Sequence, residues 1–366
     1  MTEKPKRNDI ADIAKGLGIL LVAAYHLVYR VQDGAADQAI REGIWFAIPF
    51  FFLASGYFYR PSPGGLPEDL RRRARTLLLP TVLTELLLLL AGGVYCILAH
   101  GYGPRELFRD VAYTFLRPEL SAQLLPGWGD VGELFNNLSP VWFVWTMCWA
   151  TLLFLPLAAF AAGDGRKTAL CCAALLIVQL PLYTLLPPTS WSISLAPVCA
   201  ALMLGASRLR QAGLVRRLLG LPPLPAALAA LAAAAVHFAL FRFDGTDQVY
   251  TGALGTRVWL DVPLFVAEAL VGSVFWLGLA RLLHGAGITA RAVAFIGRHS
   301  LVYLLWHCFF GMVFADLMRT YIKPGPNWYV ELTPAVFWKS AAGFVLSMLC
   351  CAGVALAQER LKRRRE

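Results

Sequence analysis

Ten apolar stretches follow one another along this chain, and nearly all are long enough to cross a hydrocarbon layer about 30 Å thick as an α-helix. Only 15% of the residues are charged and 58% are hydrophobic, whereas an ordinary soluble domain is about one quarter charged. The sequence therefore predicts an all-α, polytopic integral membrane helix bundle. The ten predicted spans are about 9–30, 41–59, 76–99, 139–161, 168–187, 193–208, 222–242, 258–280, 299–318 and 335–357, of which the sixth is the shortest.

The net charge of +10 favours a membrane topology over nucleic-acid binding. Cytoplasmic loops of membrane proteins are enriched in lysine and arginine. With ten crossings both termini lie on one side, and that side holds most of the 33 basic residues, whereas acids outnumber bases in the loop at 100–138. No basic and aromatic groove pattern accompanies the charge. We therefore expect both termini to be cytoplasmic in a plasma (inner) membrane, and no nucleic-acid partner.

The whole chain, residues 1–366, is expected to form a single transmembrane domain. Residues 1–8 and 358–366 are predicted to be short cytoplasmic tails, and 100–138 an extracytoplasmic loop with no appended soluble domain. No cleavable signal peptide is evident at the start. All eight cysteines fall within apolar segments and form no C-x-x-C pair, so they are interpreted as small buried hydrophobic residues and no metal site is expected.

The first apolar segment carries two ionisable residues, Lys15 and His26, eleven positions apart. Eleven residues of α-helix make about three turns, so both side chains share one face and lie roughly 16 Å apart along the axis. If Lys15 lies at the membrane edge, His26 lies near mid-membrane, where an ionisable group is costly and marks a functional site. Asp12, one turn before Lys15, is expected to orient it through an ion pair.

Arg72 and Arg75 begin the third apolar segment one helical turn apart, and therefore share a face. Two arginines so placed can hold phosphate groups through charge-assisted, bidentate contacts. The alternative is that the whole cluster at 71–75 only anchors the helix on the cytoplasmic side, which suffices to explain Arg71 and Arg73.

Further polar and aromatic residues are candidates for binding or orienting a substrate. Ser300, Tyr303 and His307 share one face of the ninth segment, where the alternative role is an inter-helix hydrogen bond. Glu85, Asp261 and Glu268 are ionisable residues in apolar surroundings. Trp142 belongs to an aromatic cluster that suits either sugar stacking or a position at the membrane interface.

Five sequence blocks, taken in order, resemble the membrane-bound acyltransferase family 3. They are residues 12–26 (DIAKGLGILLVAAYH), 49–57 (PFFFLASGY, which includes Ser55), 72–80 (RRARTLLLP), 140–144 (PVWFV) and 297–307 (GRHSLVYLLWH). The resemblance spans essentially the whole chain, although the specific motifs lie in the first three segments and the ninth. Ala54 departs from the usual leucine before Ser-Gly, and the extracytoplasmic hydrolase-like domain of many relatives is absent.

The resemblance implies transfer of an acyl group, usually acetyl from cytoplasmic acetyl-CoA, to a hydroxyl of a carbohydrate or lipid-linked acceptor. The family's first motif is a basic residue, ten residues and a histidine, which Lys15 and His26 match. Its second is Arg-x-x-Arg at the start of the third helix, which Arg72 and Arg75 match. The acyl-CoA is a donor substrate, and no metal is implied.

These residues lead to a mechanistic hypothesis. The length of the pantetheine arm is similar to the separation of Lys15 and His26, so Lys15, Arg72 and Arg75 are predicted to hold the phosphates while the thioester reaches His26. Histidine can take the proton of an acceptor hydroxyl as a general base and return it to the thiolate. A covalent acyl-histidine is the alternative, and the sequence does not choose between the two.

The sequence leaves several points open. The donor is acetyl-CoA or a succinyl- or longer acyl-CoA, and the acceptor is a glycan or a lipid-linked carbohydrate. Membrane lipid surrounds the chain, and a homo-oligomer is neither indicated nor excluded. The alternative function is a secondary transporter or a lipid or glycan flippase without acyl transfer. Transporters are often built from inverted repeats, and none is evident here.

Overall fold

The computed structural model describes residues 9–28, 47–101, 103–105, 141–185, 193–242, 258–318 and 333–364. Within these ranges the side chains of His26, Trp142, Asp261 and a few others lie outside the described residues. The predicted tail 1–8 and most of the predicted loop 100–138 also lie outside the described residues. Every regular element in the described part of the chain is helical, as the sequence predicts.

Thirteen helices follow one another in the described residues. The first four are α1 (Asp9–Val28), α2 (Ala47–Tyr57), α3 (Gly65–Arg73) and α4 (Leu79–His100), with a π-helical turn, Ala74–Leu78, joining α3 to α4. Next come α5 (Val141–Ala161), α6 (Gly165–Leu185), α7 (Ala196–Gln211) and α8 (Leu214–Leu219), with a 3₁₀ turn, Ile193–Leu195, before α7. The last are α9 (Pro223–Arg242), α10 (Val258–Leu283), α11 (Gly287–Arg298), α12 (Ser300–Leu317) and α13 (Pro334–Arg363).

Seven helical segments among the described residues are long and apolar enough to cross a membrane. They correspond to seven of the ten predicted spans and run through α3–α4, α5, α6, α7, α9, α10 and α13. An eighth is formed if α11 and α12, which meet at a bend of 88°, are taken together. The chain is thus a multi-pass helical membrane protein, while the count of ten spans remains a prediction.

The predicted sixth span, α7, is the most buried of the seven candidate spans in the described residues: it packs against α5 and α6, and two thirds of its apolar window is buried. Helix α2 crosses it so closely that a Cβ on Gly56 would lie 2.0 Å from the Met203 carbonyl oxygen. Gln179 of α6 is fully buried and bonds to both the Ser194 carbonyl oxygen and the Val198 amide, so the buried start of α7 has polar partners.

Several helix ends that carry arginines lie together at one end of the bundle. Arg210 at the end of α7 donates to the Tyr59 carbonyl oxygen after α2, at 2.7 Å. Arg281 of α10 donates to the carbonyl oxygen of Leu219 in α8, at 3.2 Å. His299 Nε2, at the start of α12, lies 2.9 Å from Glu359 Oε1 near the end of α13. We call this the basic end.

The start of α1 and the end of α13 both lie at the basic end. Helix α11 contacts the first turns of α1, and His299, the residue after α11, contacts Glu359 of α13. The placement of both termini on the cytoplasmic side remains a prediction. The segment at 358–363, expected to be a tail, is helical and prolongs α13 to Arg363.

Local capping sets several helix boundaries at this end and the other. Asp164 begins α6, and its Oδ1 accepts hydrogen bonds from the backbone amides of Arg166 and Lys167. These bonds hold the pKa of the exposed Asp164 carboxyl below its usual range. Thr333 caps α13 by accepting from the Val336 amide, and Pro334 occupies the first helical position.

The predicted ninth span is bent at its first residue. Residues 300–317 form α12 as expected, but the chain turns through 88° at His299, and α11 before it packs across α1. Glycines make this crossing possible: a Cβ on Gly297 would lie 1.7 Å from the Asp12 carbonyl oxygen, and one on Gly16 would lie 2.0 Å from that of Val293. The two backbones therefore touch without intervening side chains.

Candidate functional site

An ion pair occupies the start of α1. Lys15 Nζ lies 2.7 Å from Asp12 Oδ1, with the lysine side chain 23% exposed and the aspartate side chain 4% exposed. The expected pairing of Asp12 with Lys15 is confirmed. Because the carboxylate is buried and the ammonium reaches the surface, the pair fixes the position of a cation at the basic end.

Helix α1 is continuous from Asp9 to Val28, so the backbone of His26 follows Lys15 by eleven residues of unbroken helix. That continuity places the two positions on the same face, about 16 Å apart along the axis. The His26 side chain lies outside the described residues, and its role as the base remains a prediction.

The crossing of α1 and α11 brings two of the family-like blocks into contact. Gly297, the first residue of the block at 297–307, meets the backbone of α1 at Asp12, which begins the block at 12–26. The backbone of α11 thus packs against the backbone of α1 at Asp12, the residue that forms the ion pair with Lys15. Sequence spacing does not predict this contact, because the two blocks are separated by about 270 residues of chain.

A second polar cluster links α2 to α3, and at its centre is Asp69, which is 1% exposed. Asp69 accepts hydrogen bonds from the Tyr59 hydroxyl at 2.7 Å, the Ser62 hydroxyl at 2.6 Å and the Ser62 amide at 3.2 Å. Arg72 Nη2 lies 2.8 Å from Asp69 Oδ1 and also donates to the Arg60 carbonyl oxygen at 3.0 Å. A buried carboxylate with four donors is well compensated for its loss of water.

Asp69 is a site residue that the sequence analysis missed. The signal that could have identified it is an acid one helical turn before Arg72 in an otherwise basic stretch. Its four hydrogen bonds fix the loop after α2 and, through Arg72, the orientation of one of the predicted phosphate ligands.

Arg72 and Arg75 are both exposed at the basic end. Arg75 lies in the π-helical turn between α3 and α4, and such turns are frequent at functional sites. Arg73 is the more buried member of the cluster, with its Nε buried and without a hydrogen-bond partner. The arrangement thus presents Arg72 and Arg75, rather than Arg73, to a ligand outside the bundle.

We expect Asp69→Asn to weaken both the loop and the donor site. The amide would retain the geometry of the side chain but lose the charge that holds Arg72, at a cost of roughly 1.5–3 kcal/mol in stability, the range for hydrogen bonds to charged groups. Thermal unfolding in detergent and the KM for acyl-CoA measure the two effects. Glu68→Gln, one position earlier and exposed, is the matched control, and an equal effect of both variants would contradict a specific role for Asp69.

The polar line of α12 faces α13. His307 is 1% exposed, and its Nδ1 lies 2.8 Å from the Tyr303 carbonyl oxygen of the preceding turn. Its own carbonyl oxygen accepts a hydrogen bond from the Ser347 hydroxyl of α13 at 2.9 Å. Tyr303 is buried, and Ser300 is half-buried at the first position of α12. The bond from Ser347 joins the last two helices through the His307 backbone, whereas substrate orientation by Ser300, Tyr303 and His307 remains a prediction.

The other predicted binding residues lie apart from this line. Glu85 is buried in α4 and within electrostatic range of Cys148 in α5. Ser55 is half-buried in α2, next to the close crossing at Gly56. Trp142 belongs to the first turn of α5, but its side chain is outside the described part of the chain.

Lys15 and Arg72 lie at the same end of the bundle without a direct bond between them in the described residues. Ala11, just before the ion pair, lines the same cavity as Tyr57 and Phe58 at the end of α2. The next residue, Tyr59, bonds to Asp69 and through it to Arg72. The end of α2 thus contacts both the cavity beside the ion pair of Lys15 and the cluster that holds Arg72.

A comparison with known protein families supports the resemblance of this chain to acyltransferase family 3. The model of the acyltransferase domain of acyltransferase family 3 matches residues 8–356, nearly the whole chain. The match includes the helices that carry Lys15, Arg72 and Arg75. A search of curated proteins and one of solved structures each return no match. The chain belongs to acyltransferase family 3 and is a multi-pass membrane acyltransferase.

Proposed function

We propose that this protein transfers an acyl group, most simply acetyl, from cytoplasmic acyl-CoA to a hydroxyl of a carbohydrate or lipid-linked glycan, and that it does so in the plasma membrane with its basic end in the cytoplasm. The observation that carries the proposal is the unbroken helix α1, which carries the ion pair of Asp12 and Lys15 near its start and leads to His26 on the same face. Family membership supports the reaction class.

The donor site is proposed to lie at the basic end. The nucleotide of an acyl-CoA carries several phosphate charges, and Lys15, Arg72 and Arg75 are cations at the basic end. Arg72 is preorganised by Asp69 and Lys15 by Asp12, so little side-chain freedom is lost when a phosphate binds. Arginine adds bidentate geometry to charge.

From the basic end, the pantetheine arm of the donor is proposed to extend along α1. The distance from Lys15 to His26, about 16 Å for eleven helical residues, is of the same order as an extended chain of this length. The thioester then arrives at mid-membrane, where water is scarce and hydrolysis of the donor is suppressed.

The chemical step is proposed to be direct transfer. His26 accepts the proton of the acceptor hydroxyl, and the oxygen attacks the thioester carbonyl carbon. The carbon–sulfur bond then breaks, and the imidazolium returns the proton to the departing thiolate, so that free CoA and an ester are formed. A covalent acyl-histidine would use the same residue as nucleophile and is distinguished by trapping an acylated enzyme without acceptor.

The proposal is tested by incubating the purified protein with membranes from cells that lack this protein, which supply the acceptor. One sample receives radiolabelled acetyl-CoA and a parallel sample receives succinyl-CoA. Mass spectrometry of the glycans then identifies the donor and acceptor together. A gain of one acyl mass that depends on the protein is expected. If no acyl-CoA is consumed and no acyl-CoA raises the melting temperature, the donor assignment is wrong and a transport function is favoured.

Loss of one arginine should affect donor binding rather than turnover. We expect Arg75→Gln to raise the KM for acyl-CoA about tenfold to a hundredfold, because a charge-assisted contact with phosphate is worth roughly 1.5–3 kcal/mol, while kcat changes little. Steady-state kinetics at two salt concentrations measure the effect and its electrostatic origin.

Arg166→Gln provides the matched control, since Arg166 is also exposed but lies at the start of α6, outside the cluster at 71–75. An identical rise of KM in both variants would show that the arginines act only through total charge, as membrane anchors do.

A further inference from the structure

An apolar cavity of about 400 Å³ lies at the basic end, between α1, α2, α7, α8 and α10. Its lining is almost entirely hydrocarbon and includes Phe50, Leu53, Leu218 and Leu277. Ser273 is one of the few polar residues in the wall, and its hydroxyl is already bonded to the Ala269 carbonyl oxygen. The cavity therefore suits a hydrocarbon chain rather than a sugar or a nucleotide.

The cavity extends along α2 and is open at the surface. Its wall on α2 runs from Phe50 to Phe58, eight residues or about 12 Å of helix. Phe58, Leu214 and Leu270 line it and are also exposed, so it opens between α2, α8 and α10. An opening of this kind, on the side of a membrane bundle, admits a chain from the surrounding bilayer.

The short helix α8 closes the cavity at the basic end and is amphipathic. Its apolar residues line the cavity, whereas Arg216 and Arg217 are exposed on the opposite face. The turn before α8 is made by Gly213, whose φ of 71° favours glycine. The hydrogen bond from Arg281 to the Leu219 carbonyl oxygen ties the end of α8 to α10. Helices of this composition lie in the interface of a membrane.

We propose that this cavity binds one acyl chain of an anionic phospholipid from the leaflet at the basic end, with the head group held by Arg216 and Arg217. Hydrocarbon gains little by leaving a bilayer for an apolar protein cavity, so selectivity must come from the head group. Adjacent arginines at the membrane surface attract anionic lipids. The other nearby arginines, Arg210 and Arg281, donate to backbone carbonyl oxygens and serve to hold the walls.

The test is lipid binding by the full-length protein, purified, stripped of lipid and titrated with phosphatidylglycerol or phosphatidylcholine of equal chain length. Native mass spectrometry counts the bound lipids. We expect one phosphatidylglycerol to bind about tenfold more tightly than phosphatidylcholine. Leu270→Trp, which fills the opening, should abolish this binding, whereas Leu282→Trp on the same helix should not, although both leucines are 43% exposed.

The head-group site is tested separately. The double variant Arg216→Gln/Arg217→Gln should lose the preference for phosphatidylglycerol, and the matched pair Arg363→Gln/Arg364→Gln at the end of α13, also exposed, should retain it. Equal binding of the two lipids to the unmodified protein, unchanged binding to Leu270→Trp, or displacement of the lipid by octanoyl-CoA would each overturn the proposal. The readout does not depend on acyl transfer, so it stands apart from the proposed reaction.

Discussion

His26→Ala should lower kcat for acyl transfer by a factor of about 100 or more, because a positioned general base typically contributes that much to the rate of proton transfer. The KM for acyl-CoA should change little, since Lys15, one of the proposed phosphate ligands, lies about 16 Å away along α1, at the other end of the donor. Steady-state kinetics in proteoliposomes, with acyl-CoA binding followed by thermal shift, separate the two quantities.

The control for this variant is His284→Ala, which removes an exposed histidine at the end of α10 and should leave both constants unchanged. Near-native turnover of His26→Ala would show that another group accepts the proton. Loss of acyl-CoA binding in the same variant would show instead that the histidine is part of the donor site.

Gly297→Val should destabilise the protein strongly and reduce acyl-CoA binding with it. Even a single Cβ at this position would lie 1.7 Å from the Asp12 carbonyl oxygen and 2.8 Å from the Gly16 amide nitrogen. Neither backbone atom can move without separating α1 from α11. Overpacking of this kind costs about 3 kcal/mol, the upper end of the usual range, and the separation would shift the ion pair of Asp12 and Lys15.

A lower melting temperature and a weaker thermal shift with acyl-CoA are the expected measurements. Gly353→Val is the matched control, because Gly353 lies within α13 and a Cβ there would meet nothing within 4 Å. Unchanged stability of Gly297→Val would mean that α11 does not cross α1 at this point. A loss of stability with full acyl-CoA affinity would mean that the crossing does not position Lys15.

The two clusters at the basic end show how far sequence reasoning reaches. The pairing of Asp12 with Lys15 is local, three residues apart on one helix, so helical spacing predicts it. Asp69 also lies one turn from its arginine, but its importance comes from Tyr59 and Ser62, ten and seven residues away across a loop. No periodicity relates positions across a loop, and the central role of Asp69 therefore became visible only in three dimensions.

The bend at His299 is a second example. The apolar pattern of residues 299–318 predicts a span, and α12 confirms it, yet nothing in that pattern requires the preceding twelve-residue helix to turn through 88° and cross α1. Hydropathy reports burial in an apolar environment and does not distinguish lipid from a neighbouring helix. The crossing depends on Gly16 and Gly297, which only the packed backbones identify as a pair.

Composition and hydropathy alone determined that this chain is a multi-pass helical membrane protein. Backbone N–H and C=O groups without hydrogen bonds are too costly in lipid, so apolar segments of this length form helices. The order of its motifs also determined the acyltransferase family. Tertiary structure alone decided that Asp69 orients Arg72, that α7 is the most buried span and that α8 forms one wall of an apolar cavity. These features depend on contacts between distant segments, and local periodicity carries no information about which helices become neighbours.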